Sequence, residues 1–189
     1  MCMCARYQAS PKDSNFKIVK CILRYLNGTS NHGLWYPKKS ACSLVGYYDS
    51  DFMGYKLDRN STSGTCHLYG SCLVSCHSKK QHSVSLSTAK AEYVAAGSCC
   101  AQVLWLKKQL LDYNLKLGCV SIKCGSTSVI SLTKNLVLHS RTKHIEIRHY
   151  FLRDHVEKGD AIFEYVDTKS QLAGIFTKLL SSESFQTNL

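Results

Sequence analysis

Residues 88–112 read TAKAEYVAAGSCCAQVLWLKKQLLD, and this stretch predicts the strongest helix of the chain. Ser87 and Thr88 can begin the helix, and small or apolar residues then recur at helical spacing. Counted from Glu92, these residues fall at +3, +4, +7, +11, +14 and +18, at Ala95, Ala96, Cys99, Val103, Leu106 and Leu110. Glu92 therefore begins the apolar, core-facing side of the helix rather than its solvated side.

The position of Glu92 makes it a candidate functional residue. A carboxylate on a core-facing side needs a cation, a metal or hydrogen-bond donors, because burying an unpaired charge is costly. The alternative interpretation is an acid near a helix start that interacts with the helix macrodipole. Two such acids that converge on one point would suit a divalent cation and phosphoryl chemistry.

The sequence on both sides of this helix predicts a sheet of short strands. Three strands are predicted upstream, at 43–49, 65–69 and 72–77, and Gly70-Ser71 is typical of a two-residue hairpin between the last two. Downstream we expect a strand at 120–124, a helix near 126–134, a basic amphipathic helix near 142–158, a strand at 161–166 and a helix at 169–178. This order predicts the α/β class with mixed strand pairing.

Two prolines, Pro11 and Pro37, bracket a separate N-terminal piece with helical periodicity over 16–26. The whole chain has 189 residues, 44% hydrophobic and 20% charged, which is typical of a globular protein with one main domain. No apolar run is long enough to span a bilayer, and the N-terminus has no apolar signal segment. We predict an intracellular protein, cytoplasmic or nuclear, with no membrane partner.

The charge of the chain favours a polyanionic partner. Lys and Arg total 24 against 13 acids, which gives a net charge of +11. Part of this charge is clustered at His139, Ser140, Arg141, Lys143 and His144, and the cluster leads into Arg148. Clustered cations and hydroxyls suit phosphate contacts, so we predict nucleic-acid binding here. A solvated helix face remains the alternative.

Eleven cysteines occur, and their spacing includes no paired C-x-x-C motif. A zinc site that uses Cys72, Cys76 and His77 is one interpretation. The preferred interpretation is that most cysteines are reduced and act as small buried apolar residues.

Asp49 closes the first predicted strand, in the sequence YYDSDF at residues 47–52. A carboxylate at a strand tip is a common metal ligand in α/β proteins, although aspartate also favours turns. Asp51 lies two residues further along the same strand. It can point the same way as Asp49 and is a possible substitute ligand.

Six short motifs, in order and at matching spacing, resemble the ribonuclease H domain of copia-type retrotransposon polyproteins, a kind abundant in plants. They are Tyr48-Asp49-Ser50-Asp51-Phe52, Arg59-Asn60-Ser61-Thr62-Ser63-Gly64, Ser78-Lys79-Lys80-Gln81, Ala91-Glu92-Tyr93, His139-Ser140-Arg141-Thr142-Lys143-His144-Ile145 and Gln171-Leu172-Ala173. The resemblance covers residues 1–180. It implies that 1–40 is the tail of a reverse-transcriptase region, 41–180 a ribonuclease H-like domain and 181–189 a C-terminal tail.

The resemblance implies a five-stranded mixed sheet flanked by helices and cleavage of the RNA strand of RNA–DNA hybrids. In the family, four carboxylates hold two divalent ions, Mg²⁺ or Mn²⁺. The first carboxylate corresponds to Asp49 and the helix glutamate to Glu92. The other two positions are Gly125, after the fourth strand, and Gly174, in the last helix. Lys90, Leu136 and Leu179 also depart from the family pattern, at a common glutamate and at two common prolines.

These residues together predict a hybrid-binding ribonuclease H-like domain with lost or weak endoribonuclease activity. Only Asp49 and Glu92 remain as metal ligands, so weak Mg²⁺ or Mn²⁺ binding is expected. One alternative is an active ribonuclease H that uses Asp51 or Mn²⁺. The other is a non-catalytic relic or a protein-interaction adaptor; the sequence identifies no protein partner.

Overall fold

The structure is a computed structural model that describes residues 8–31, 33–38, 42–54, 59–134 and 146–178, without the side chains of 146–149. The chain divides into two compact units, one ending at Trp35 and the other beginning at Tyr36. None of the helices in the described ranges combines the length and apolar character needed to cross a membrane.

The N-terminal unit contains helix α1, Asp13–Gly28. Lys12 precedes it in an extended conformation, and Asp13 adds an acid to the first turn, where the macrodipole favours negative charge. At the other end, Thr29 Oγ1 donates a hydrogen bond of 2.8 Å to the carbonyl of Tyr25. The helix begins three residues before the predicted 16–26 segment, because the apolar pattern does not include its polar first turn.

The second unit is built on one five-stranded sheet with the order β3-β2-β1-β4-β5. The strands are β1 Leu44–Asp51, β2 Thr62–Tyr69, β3 Cys72–Lys80, β4 Val120–Cys124 and β5 Ala161–Tyr165. β1 and β3 pair antiparallel with β2, whereas β1–β4 and β4–β5 are parallel. The predicted five-stranded mixed sheet is therefore confirmed. Gly70 makes the predicted hairpin with φ of +62°.

In the described residues, three helices lie between β3 and β5: α2 Thr88–Asp112 precedes β4, and α3 Thr127–Lys134 and α4 Glu146–Glu157 follow it. Ser87 caps α2, since its side chain accepts a hydrogen bond from the backbone N–H of Lys90. α2 lies close to β1 at Gly46, where an added Cβ would be 3.0 Å from Cys99 Sγ and 3.1 Å from Val103 Cγ2. This contact belongs to a core that also includes Tyr48, Tyr93, Ile122, Val129, Leu152 and Phe163.

The prediction of one helix over 169–178 is wrong. The segment forms two short 3₁₀ helices, Thr168–Ser170 and Leu172–Phe176. Asp167 and Gln171 each precede one of them and accept a backbone hydrogen bond with the side chain, from Ser170 and Ala173 respectively. Such local bonds compete with a continuous α-helix. Leu172–Phe176 is called the C-terminal 3₁₀ helix below.

The cysteines are less buried than predicted. Among the described residues, Cys66, Cys99, Cys100 and Cys124 are buried, Cys72 is intermediate, and Cys21, Cys42, Cys76 and Cys119 are exposed. The described residues also contain no group of three or more His, Cys, Asp or Glu side chains that could hold a metal ion. The zinc interpretation at Cys72, Cys76 and His77 therefore has no support in the geometry.

Candidate functional site

Asp49 lies in a row of three residues that crosses the antiparallel part of the sheet. It is paired with Gly64 of β2, which is paired with Ser78 of β3. Paired residues share a face of a sheet, so all three lie on the side where the C-terminal 3₁₀ helix packs. β1 continues to Asp51, so Asp49 is inside the strand rather than at its tip. It is only 8% exposed.

The C-terminal 3₁₀ helix packs closely against this row. A Cβ added at Gly64 would lie 2.7 Å from Thr177 Cγ2 and 2.9 Å from the carbonyl oxygen of Ala173, so only glycine allows this approach. On the next strand, Ser78 Oγ donates a hydrogen bond of 2.6 Å to the carbonyl of Phe176. These two contacts fix the segment that leads to Lys178.

Two side chains from the end of this segment bind the Asp49 carboxylate. Thr177 Oγ1 donates a short hydrogen bond to Oδ2. Lys178 Nζ lies 3.1 Å from Oδ1 and 3.0 Å from Oδ2, so the ammonium contacts both oxygens. Neither Thr177 nor Lys178 was predicted from the sequence. The only available signal was their position four and five residues after the last quoted motif, and that position specifies no partner.

Glu92 is positioned by the start of α2. Gln81, which is only 4% exposed, donates hydrogen bonds of 2.9 Å to Ser63 Oγ and to the carbonyl of Ala91. Its Oε1 accepts a third, of 3.0 Å, from Ser85 Oγ. The amide therefore ties β2 to the residue immediately before Glu92.

The surroundings of Glu92 favour its neutral form. Burial raises the pKa of the Glu92 carboxyl to about 7, and the negative charge of Asp49 acts in the same direction. The Lys178 ammonium and a hydrogen bond from the backbone of Ser50 oppose this shift. The structure thus brings Glu92 and Asp49 close enough for their charges to interact. The helix pattern predicted only a core-facing Glu92, and the family resemblance implied that the two acids belong to one site.

Asp51 shares a face with Asp49, but its carboxylate turns toward the end of the strand. A Cβ added at Gly54 would lie 1.6 Å from Asp51 Oδ2, so the carboxylate fills the space beside that glycine. Burial raises the pKa of Asp51, while Lys178 lowers it and Asp49 raises it. Asp51 is therefore near the site, and its role as a substitute ligand stays a prediction.

Gly125 and Gly174 both have room for an added Cβ atom. Gly125 directly follows β4, which runs parallel to β1, so both strands end at the same edge of the sheet. The nearest atom to an added Cβ at Gly125 is the carbonyl oxygen of Val166, at 3.9 Å, and at Gly174 nothing lies within 4 Å. The residues present do not fit a pair of divalent ions: the two positions where the family resemblance places further acids carry no side chain, and the Lys178 ammonium already contacts Asp49.

The predicted basic cluster is only partly described. His139, Ser140, Arg141, Lys143 and His144 lie outside the described residues, and Arg148 is in α4 but its side chain is not described. A described lysine occurs near the candidate site. Lys80 ends β3 and is paired with Thr62, which is paired with Asp51. Lys80 is therefore about 10 Å from Asp51, two strand spacings away on the same face.

Comparison with known proteins identifies the chain. It is 36% identical over 183 residues to the retrovirus-related Pol polyprotein from transposon RE1 of Arabidopsis thaliana, covering 96% of this chain and 12% of that one. It is 33% identical over 182 residues to the Pol polyprotein from transposon TNT 1-94 of Nicotiana tabacum, covering 96% and 14%. The chain belongs to the copia-type retrotransposon Pol family. A scan against models of protein families found no match. The chain spans about an eighth of the length of the Pol polyproteins that it matches.

Solved structures identify the fold. LC11-RNase H1, isolated from compost, superposes with a TM-score of 0.57 at 11% identity, covering 72% of the Pol-family chain and 94% of that protein. The same enzyme in complex with an RNA/DNA hybrid gives a TM-score of 0.54 at 12% identity, covering 71% and 94%. Identities this low show the fold alone: the Pol-family chain has the ribonuclease H-like fold.

Proposed function

We propose that this Pol-family chain is a ribonuclease H-like module that binds RNA–DNA hybrids and has lost most or all endoribonuclease activity. The observation that supports this proposal most directly is the composition of the candidate site. Asp49 and Glu92 remain, Gly125 and Gly174 carry no ligand, and Lys178 contacts Asp49 through both carboxylate oxygens.

The loss of activity follows from the number of ligands. Hydrolysis with two metal ions needs both ions at fixed positions, one for the attacking water and one for the leaving oxygen. Mg²⁺ is held through carboxylates together with substrate phosphates, and Asp49 and Glu92 alone supply too few. We therefore propose weak Mg²⁺ or Mn²⁺ binding at these two residues. Groups that act as a unit do not compensate for one another, so the deficit in rate is large.

Hybrid binding is supported by charge and by the structural neighbour. The chain carries a net charge of +11, and the LC11 enzyme of the same fold has been solved with an RNA/DNA hybrid. We assign the phosphate contacts to the basic cluster of His139, Ser140, Arg141, Lys143, His144 and Arg148. Cationic contacts of this kind release counterions, so the affinity falls as salt rises.

The remaining assignments belong to the same proposal. Residues 1–40 correspond to the tail of a reverse-transcriptase region, 41–180 to the ribonuclease H-like domain and 181–189 to a C-terminal tail. The module acts inside the cell, in the cytoplasm or nucleus, where a hybrid intermediate would be met.

A second candidate function is a weakly active ribonuclease H. It is favoured by one observation: Asp51 lies close enough to Asp49 and Lys178 for both charges to shift its pKa. A movement of its carboxylate away from Gly54 would add a third carboxylate to the site.

Hybrid binding is tested by fluorescence anisotropy with a labelled RNA–DNA duplex in EDTA, over a series of salt concentrations. We expect saturable binding whose affinity falls steeply with salt, and a lower salt slope for Arg141→Gln/Lys143→Gln. The matched control is Lys108→Gln/Lys116→Gln, which removes the same charge from the far end of α2 and the loop after it. No binding of the parent, or an equal loss in both double variants, would contradict the proposal.

A further inference from the structure

We infer that Lys178 is the resident cation of Asp49 and that its ammonium must leave before a divalent ion can bind there. The inference goes beyond hybrid binding, since it concerns which cation occupies the carboxylate. Lys178 then acts as a selectivity residue that competes with Mg²⁺ and Mn²⁺ for the Asp49 carboxylate and weakens their binding.

The geometry of the contact leaves little of the carboxylate for another cation. Lys178 Nζ is 3.1 Å from Oδ1 and 3.0 Å from Oδ2 of Asp49. Thr177 Oγ1 also donates to Oδ2. A divalent ion would have to approach the same oxygens to about 2.0–2.6 Å. The ammonium and the ion therefore cannot both contact the carboxylate from the same side.

Charge leads to the same conclusion. The side chain of Asp49 is 11% exposed and that of Lys178 is 47% exposed, so the carboxylate end of the pair is shielded from water. A divalent ion beside Asp49 would meet the ammonium at a few ångströms, where like charges repel strongly in a partly desolvated site. With Gly125 and Gly174 in place of acids, neither position adds a negative charge to offset that repulsion.

The position of Lys178 does not depend on its own ion pair. The chain before it is fixed by the close approach of Thr177 to Gly64 and by the hydrogen bond from Ser78 to Phe176. The ammonium is therefore presented to Asp49 by contacts that survive its removal. Replacing Lys178 should leave the C-terminal 3₁₀ helix in place, so a substitution there removes the ammonium without moving the segment that carries it.

The test is Mn²⁺ binding by titration calorimetry to the full chain carrying Gly125→Asp/Gly174→Asp, with and without Lys178→Met. Restoring the two acids provides enough ligands for the affinity to be measurable. We expect Lys178→Met to tighten Mn²⁺ binding about tenfold or more. Lys178→Arg, which keeps the positive charge, should not tighten it, and Asp49→Asn should remove the gain. Affinities of the Met variant within twofold of its background would overturn the inference.

The comparison of Lys178 with Met and Arg is repeated without the two aspartate substitutions, in case the double aspartate variant misfolds. There the probe is Tb³⁺ luminescence, read for the parent, Lys178→Met and Lys178→Arg, with thermal unfolding as the check on folding. An increase in Tb³⁺ binding only in the Met variant supports the inference. Equal binding by the parent and the folded Met variant would contradict it.

Discussion

Gln81 Nε2 donates a hydrogen bond of 2.9 Å to the carbonyl oxygen of Ala91, the residue immediately before Glu92. The same amide nitrogen donates to Ser63 Oγ on β2, also at 2.9 Å. The side chain is buried, so these bonds connect the sheet directly to the first turn of α2. The position of Glu92 relative to the sheet that carries Asp49 thus depends on the Gln81 amide.

Gln81→Leu should lower the free energy of unfolding by about 2–3 kcal/mol, because it leaves the Ala91 carbonyl and the Ser63 hydroxyl buried without this donor. Urea denaturation measures the change. Gln102→Leu is the matched control: Gln102 donates one longer bond, of 3.4 Å, to Ser75 Oγ. Its cost should stay below about 1 kcal/mol. Equal costs for the two variants would show that Gln81 does not hold the start of α2.

Gly64→Ala should destabilise the protein by about 1–3 kcal/mol, because the new methyl group would overlap Thr177 and the backbone carbonyl of Ala173. Displacing the C-terminal 3₁₀ helix should also separate Lys178 from Asp49. Thermal or urea unfolding reports the first effect. Gly118→Ala is the control, since nothing lies within 4 Å of an added Cβ there. A neutral Gly64→Ala would contradict the described packing.

Glu92→Gln should stabilise the protein at pH 8 but not at pH 4. The pKa of Glu92 is raised to about 7 in the fold from an ordinary value of 4.5. At low pH the carboxyl is protonated in both the folded and the unfolded state, so it does not change the free energy of unfolding. As pH rises from about 4.5 to 7, the unfolded state loses its proton first, so the parent loses stability, up to about 3 kcal/mol. The difference between variant and parent, from urea unfolding across this range, should grow and then level off. A difference independent of pH would show that the fold does not raise the pKa of Glu92.

Sequence periodicity predicted the bounds of an element correctly where one apolar pattern ran through the whole element. The predicted helix 88–112 and strand 120–124 match Thr88–Asp112 and Val120–Cys124 of the structure. It failed at 169–178, where Asp167 and Gln171 bind backbone N–H groups locally and produce two 3₁₀ helices. Side-chain capping of this kind does not change the apolar pattern on which the helix prediction rested.

The candidate site was predictable only in part. The helical spacing placed Glu92 toward the core, and the end of a predicted strand pointed to Asp49. The family resemblance assigned two further acid positions to Gly125 and Gly174. Neither indicated Lys178, because it lies 129 residues from Asp49 and meets it only through the packing of the C-terminal 3₁₀ helix. A contact this distant in sequence depends on the tertiary fold rather than on any local motif.

The absence of carboxylates at Gly125 and Gly174 decides the proposed loss of activity, and one assay tests it directly. The parent and Gly125→Asp/Gly174→Asp are incubated with a labelled RNA–DNA hybrid in Mg²⁺ and in Mn²⁺, and cleavage of the RNA strand is followed on a gel. An added Cβ meets no close contact at either glycine, so the two aspartates can be introduced without a backbone clash. We predict no cleavage by the parent and metal-dependent cleavage by the double variant. Cleavage by the parent that disappears in Asp49→Asn would contradict the account, because the two remaining carboxylates would then suffice.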